Sequence, residues 1–195
     1  MGTSVNRLMI AFVGLVLDMK PPELFETERL QLRPPAVSDA EAIFQGYAQD
    51  AVVSRYMTWH PHTAIQETEA YLQRCLTAWS KRSAFTWVLI HKLDQRLMGM
   101  MELRIETHKA EIGYVLAQPY WGQGYMPEAV QALISWALQH PQLYRVWAVC
   151  DTENRASSRV MEKVGMQREG ILRRWTYHPN VSAEPRDVYC YAIVK

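Results

Sequence analysis

Apolar residues recur along the chain with two different periods, and the switch between them separates strands from helices. Leu30 and Leu32, two apart within Leu24 to Pro34, predict a strand. Ser38 with Glu41 three residues on reads as a capping box, opening a helix that runs to about Tyr47. Asp50 to Trp59 reads as a second short helix with a loop, and Thr63 and Glu67 introduce a longer helix towards Trp79. Phe85 to His91 and Arg96 to Ile105 are predicted strands, joined as a hairpin by the polar turn Lys92 to Gln95.

Ala110 to Ala117 (AEIGYVLA) continues as a short strand. From Glu128 to Gln139 the apolar residues Val130, Leu133, Ile134, Ala137 and Leu138 fall on one helical stripe, with Glu128, Gln131, Ser135 and Gln139 on the opposite face. Tyr144 to Cys150 reads as a strand, Asn154 to Val164 as a helix ended by Gly165, and Gln167 to Tyr177 and Asp187 to Val194 as two last strands. The loop between those strands holds Pro179, Asn180 and Pro185. The order is strand, helices, three strands, helix, strand, helix, two strands, which is mixed α/β with an antiparallel first half.

The junction Tyr120 to Ala129 (YWGQGYMPEA) carries the first chemistry. Gly122 and Gly124 flank Gln123 where a strand becomes a helix, so several backbone N–H groups can converge with no side chains in the way. Pro127 suits the first turn of a helix, whose free N–H groups and dipole favour an anion such as a phosphate. A lone GxG fits equally well a tight turn whose glycines serve only steric needs. No GK[ST] follows and the third glycine of the dinucleotide fingerprint is absent, which argues against those two phosphate motifs.

At 195 residues with a net charge of +1, the chain has the length and composition of one soluble globular domain. It lacks the dense Lys/Arg stripe of a nucleic-acid binder. Cys75, Cys150 and Cys190 are an odd count with no CxxC pair, which points to a reducing compartment such as the cytoplasm and to neither a disulfide framework nor a zinc ribbon. His60 and His62 flank Pro61 without HExxH or a cysteine partner and read as loop residues, so no metal is expected. The apolar run Leu8 to Leu17 is too short to span a bilayer, and no membrane role is expected. It reads as a signal peptide lacking a small-residue cleavage site, as an extension upstream of Met19, or as an extra packing element. Residues 1–18 are therefore set apart as an N-terminal extension and 19–195 taken as the domain.

Asp151 to Met166 reads DTENRASSRVMEKVGM. Asn154, Ser157, Lys163 and Gly165 behind a strand, preceded by YWGQGY at the start of the earlier helix, closely resemble the GCN5-related N-acetyltransferases (GNAT). More narrowly they resemble the RimJ/RimL branch, which acetylates ribosomal-protein N-termini. The resemblance runs from Thr27 to the C-terminus and includes ETERLQLRP, AEIGYVL and PRDVYCY. It implies a single-domain, mixed, mostly antiparallel twisted sheet flanked by helices on both faces. It also implies acetyl-CoA as cosubstrate and a primary amine as acceptor, possibilities that include a protein N-terminus. By resemblance Gly122, Gln123, Gly124, Tyr125 and Met126 meet the pyrophosphate through backbone N–H groups. Val115 and Leu116 pair with the amides of the pantetheine arm, and Asn154 contacts the arm from the second helix. Three positions depart from the general family pattern. Trp121 and Met126 stand first and sixth in the cradle, where the general pattern has Arg or Gln and Gly or Ala. Met161 stands where many members carry a tyrosine acid.

An acceptor amine arrives protonated, with a pKa near ~10 for a lysine-like group or ~8 for a chain terminus, and must lose a proton before it attacks a thioester. Glu111 of AEIGY is the first choice of base and Glu102 the second; each also reads as a solvated strand residue or an ion-pair partner. A backbone N–H near Leu116 can hold the oxyanion if the strand leaves it unpaired. Ser157 is the family's candidate for protonating or hydrogen-bonding the departing thiolate. Asn154 also reads as an N-cap for the N–H of Ser157. Cys150 reads as a buried thiol, so direct transfer in a ternary complex is expected instead of an acetyl-enzyme. Tyr56, Trp59, Trp175 and Tyr177 are candidates to wall an acceptor cleft. A small-molecule amine as acceptor, or a CoA-binding module without catalysis, are the alternative functions.

Overall fold

The computed structural model describes residues 19–195, so the apolar run at Leu8 to Leu17 lies outside the described residues. The strands are β1 (Phe25–Glu26), β2 (Leu30–Arg33), β3 (Phe85–His91), β4 (Leu97–Glu106), β5 (Lys109–Leu116), β6 (Arg145–Asp151), β7 (Gln167–Thr176) and β8 (Arg186–Val194). The α-helices are α1 (Ala40–Ile43), α2 (Ala51–Ser54), α3 (Ile65–Lys81), α4 (Tyr125–Gln139) and α5 (Arg155–Lys163). Among the described residues no helix is long and apolar enough to cross a membrane.

The strands form one sheet in the order β1-β2-β3-β4-β5-β6-β8-β7. Every neighbouring pair is antiparallel except β5 and β6, which are parallel because α4 carries the chain back between them. Both faces are covered, which explains why Phe85 to Ile90 is buried without alternation. One face packs Trp87, Leu89, Met101 and Leu103 against Val130, Leu133 and Ala137 of α4 and Met161 of α5. The other packs Val88, Ile90 and Met100 against Ile43, Tyr47, Leu72 and Cys75. Each large side chain so buried contributes about 1.5–3 kcal/mol.

The first helix begins differently from the capping box expected at Ser38 and Glu41. Ser38 is exposed, and Asp39 does the capping: its carboxylate accepts the Ala36 N–H at 2.7 Å. Arg33, at the end of β2, grips the same carboxylate with two hydrogen bonds of 2.8 and 2.7 Å. A partner on a strand thus selects the cap, and burial alone, which would raise the Asp39 carboxyl, is outweighed so that it stays below its ordinary value. After Ile43 the helix widens into a π turn over Phe44–Ala48. Asp50 then caps α2 by accepting the Val52 N–H at 2.7 Å. The Thr63 hydroxyl donates to Glu67 at 2.7 Å before α3, which runs two residues past the expected Trp79.

The sheet is not continuous across its middle. β5 meets β6 at only three positions, Lys109 with Arg145, Ala110 with Val146 and Glu111 with Trp147. Beyond them β5 follows β4 to Leu116, while β6 follows β8 to Asp151. The two central strands therefore part like a V.

On the far side of β5, Gly99 of β4 sits where a Cβ would lie 2.2 Å from the Val115 carbonyl oxygen. Gly99→Ala is expected to lower stability by about 1–3 kcal/mol through overpacking against β5. An unchanged midpoint in urea unfolding would contradict that close approach.

Candidate functional site

The glycine junction lies at the open end of the V. Gly122 and Gly124 have φ of 75° and 83°, a region that L side chains rarely adopt, and α4 starts at Tyr125. Among the described residues, the N–H groups of Gly122, Gln123, Gly124, Tyr125 and Met126 donate to no backbone carbonyl. Five adjacent unpaired donors at the positive end of a fifteen-residue helix make an anion cradle. The side chain of Met126 is buried in the main core, so it does not compete with its own N–H at the cradle. Trp121 turns back and donates its indole N–H to the Leu116 carbonyl at 2.7 Å. The Gln123 amide donates to the Pro119 carbonyl at 2.8 Å.

A clamp that sequence reasoning missed holds the cradle against β2. Glu128, in the first turn of α4, accepts the Thr27 hydroxyl at 2.6 Å, the Arg29 backbone N–H at 2.8 Å and the Arg29 Nε at 2.7 Å. Arg29 also donates to the Gln123 carbonyl at 3.0 Å, with its guanidinium 4.3 Å above the Tyr125 ring. Burial by itself would raise the Glu128 carboxyl, but the bonds from Thr27 and Arg29 hold it below its ordinary value. The signal was present in ETERLQLRP and in the polar face of the later helix, but nothing local pairs them.

Between the parted strands lies a cavity of about 450 Å³. No Cβ placed on Gly113 would meet an atom within 4 Å, so this glycine opens onto it. The register decides which peptide groups face the gap. Ala117 donates its N–H to Met98 of the β4 side, and residues at odd positions back along β5 share that direction. Tyr114 therefore presents both its peptide groups to the gap and Leu116 its N–H, the Leu116 carbonyl being taken by the Trp121 indole. Val115 is corrected by this register: its peptide groups are directed at Met100 on β4, and only its side chain lines the cavity.

Glu111 and Glu102 both line the cavity from one face of the sheet. Arg104 lies between them, ion-paired with Glu102 and 3.6 Å from Glu111, and the Thr86 hydroxyl donates to Glu102 at 3.2 Å. Asn154 accepts the Ser157 N–H at 3.1 Å and so caps α5. The Ser157 hydroxyl is 2.8 Å from the Tyr114 hydroxyl, whose own pKa burial pushes far up. Cys150 is buried beside Ser158 at 3.3 Å, and burial pushes its thiol up, away from the thiolate a nucleophile needs. Met161 is fully buried in the core. Among the described residues no group of three or more His, Cys, Asp or Glu is placed to hold a metal ion.

Of the aromatic residues expected at the acceptor end, Tyr56 and Trp59 line the cavity. Trp175 and Tyr177 do not, and both are exposed; Thr176, at the end of β7, and His178, in the loop after it, line the cavity instead. Asp151, which closes β6, is buried and bonded by Arg186 of β8 at 2.6 and 3.1 Å. These two, with His178, were not anticipated, although DTENR and PRDVYCY contain the first two.

A cradle at a helix start, a parted parallel pair and a lined cavity beneath them define an acyl-CoA-dependent N-acetyltransferase. A family model for the acetyltransferase (GNAT) domain matches residues 29–167, and the chain belongs to the GNAT family. It is 31% identical over 175 residues to the uncharacterized N-acetyltransferase YoaA of Bacillus subtilis, covering 88% of this chain and 97% of that protein. The ribosomal-protein-serine acetyltransferase of Escherichia coli is 27% identical over 152 residues, 76% of this chain and 84% of its own. RimL, the ribosomal L7/L12 alpha-N-protein acetyltransferase solved in complex with coenzyme A, shares the fold with a TM-score of 0.78 at 23% identity, covering 88% and 98% of the two chains. Membership of that family makes the chain an acetyl-CoA-dependent N-acetyltransferase.

Because the folded Glu128 carboxyl is held low, its contribution to stability is complete above the ordinary carboxylate value of about 4.3 and is lost as the pH falls through the folded value. Glu128→Gln is expected to cost about 1–2 kcal/mol at pH 7. The gap from wild type should narrow as the pH falls below about 4.3, and a gap in urea unfolding that does not narrow at all in acid would contradict the clamp.

Proposed function

We propose that the enzyme acetylates the α-amine of a protein or peptide N-terminus by direct attack in a ternary complex. The observation that carries this reading is the run of unpaired N–H groups from Gly122 to Met126 just after the open edge of β5, together with a cavity between the parted strands lined by Glu102 and Glu111. The peptide class of acceptor is supported by the similarity to the ribosomal-protein-serine acetyltransferase. The buried thiols Cys75, Cys150 and Cys190, none in a disulfide, support a cytoplasmic setting.

The cradle N–H groups of Gly122, Gln123, Gly124, Tyr125 and Met126 hold the pyrophosphate of acetyl-CoA. Tyr114 offers its peptide groups and Leu116 its N–H to the pantetheine amides, and Asn154 meets the arm from the start of α5. Glu111 takes the proton from the acceptor ammonium, directly or through water, and the freed amine attacks the thioester carbonyl. An unpaired N–H of the open β5 edge stabilises the oxygen as charge develops there. The carbon–sulfur bond breaks, the surplus proton on the new amide nitrogen passes to the departing sulfur to give the CoA thiol, and Ser157, braced by Tyr114, hydrogen-bonds that sulfur as it leaves.

A thiol-release assay with acetyl-CoA and a panel of peptides, polyamines and aminoglycosides tests the reading. Release with peptides alone is the expected result; release only with the small amines would move the acceptor class, and failure to bind CoA would reject the site. Glu111→Gln should lower kcat by about 10²- to 10⁴-fold with CoA affinity nearly unchanged. Equal loss of both would show that Glu111 serves binding and not proton transfer. Cys150→Ala should retain most turnover, and loss of a burst of acyl-enzyme in that variant would overturn direct transfer.

A further inference from the structure

Among the described residues, only three buried side-chain polar atoms make no hydrogen bond: the Tyr47 hydroxyl and the two ring nitrogens of His178. The residues are 3% and 5% exposed. Both line the cavity between the parted strands, Tyr47 from the π turn after α1 and His178 from the loop between β7 and β8. Leaving such a group unsatisfied costs about 1–3 kcal/mol, so two of them on one cavity require a reason. The acetyl-transfer steps above use neither.

The loop that carries His178 is pinned opposite Tyr56. The Asn180 amide donates to the Ser54 and Trp59 carbonyls at 2.7 and 2.8 Å, and its oxygen is 3.0 Å from the His60 ring. Tyr56 stands edge-on to the His178 ring at 6.4 Å. Asp151 lies 3.8 Å from His178 Nε2, beyond hydrogen-bond reach, and is occupied by Arg186. The backbone of Met57 and Tyr56 comes near the ring without completing a bond to either nitrogen.

We infer that the Tyr47 hydroxyl and the His178 ring recognise the acceptor, Tyr47 donating to an oxygen that the acceptor carries and His178 pairing with one of its N–H or O–H groups. The acceptor class that satisfies both is an amine with a carbonyl or hydroxyl a few bonds from its nitrogen, in contrast to a plain alkyl amine. Burial keeps the Tyr47 hydroxyl protonated and therefore a donor. Burial, together with Arg186 and against the pull of Asp151, also holds His178 below its ordinary value, so at neutral pH the ring keeps a free lone pair. This inference rests on the acetyl-transfer reading.

The test compares glycinamide with n-propylamine as acceptors for the full-length enzyme and acetyl-CoA. Wild type is expected to favour glycinamide in kcat/KM by at least about tenfold. Tyr47→Phe and His178→Phe should each cut that ratio at least threefold, through KM for glycinamide, and leave propylamine unchanged. Tyr47→Phe should not lower the Tm, since it removes a group with no partner. A wild-type ratio near one, or a ratio that neither variant alters, would overturn the inference. NMR of the His178 ring in CoA-bound enzyme gives a second readout: glycinamide should shift its signals, and no shift at saturating glycinamide would overturn the inference even if both probes turn over too slowly to measure. Absence of transfer to any amine of the larger panel would instead remove the acetyl-transfer reading beneath it.

Discussion

The early end of pairing between β5 and β6 is the constraint on which the rest of the molecule depends. A strand inside a sheet spends its peptide groups on both neighbours. After Glu111 and Trp147 the two strands have none to exchange, so one edge of each is left for something else. Their separation makes the cavity and frees the peptide groups of Tyr114 and the N–H of Leu116, and the chain leaves the open end of β5 through the glycine turn that starts α4. The flanking pairs β4 with β5 and β6 with β8 keep full registers, so the opening is held from both sides by regular sheet.

The elements were legible where one local rule governs them. The β3–β4 hairpin, the stripe of α4 and the N-cap at Asn154 each follow from a few neighbouring residues, and each stands where expected. The start of α1 was not legible, because Asp39 is chosen as cap by Arg33 on another element. Val115 was misassigned for a similar reason. That its peptide groups turn towards β4 is a matter of register, which the strand's own residues do not state.

The site divides in the same way. Its phosphate end announces itself through glycines, whose backbone angles are a property of the residue itself. The other end of the cavity is lined from the π turn, the Tyr56 loop and the β7–β8 loop, the last two tied together by Asn180. Trp175 and Tyr177 had the composition of cleft residues, but both stand in solvent, while His178, in the loop beyond β7, lines the cavity.

The brace between Arg29 and Glu128 spans 99 residues of chain. Closing a loop of that length costs entropy that only long-range packing returns, so contacts of this kind belong to the later stages of folding. Gly122 and Gly124 can turn locally at any time, but Arg29 reaches their cradle only after β2 has joined the sheet and α4 has crossed it. The braced cradle therefore arrives only with the finished architecture, and a partly folded or newly synthesised chain lacks it.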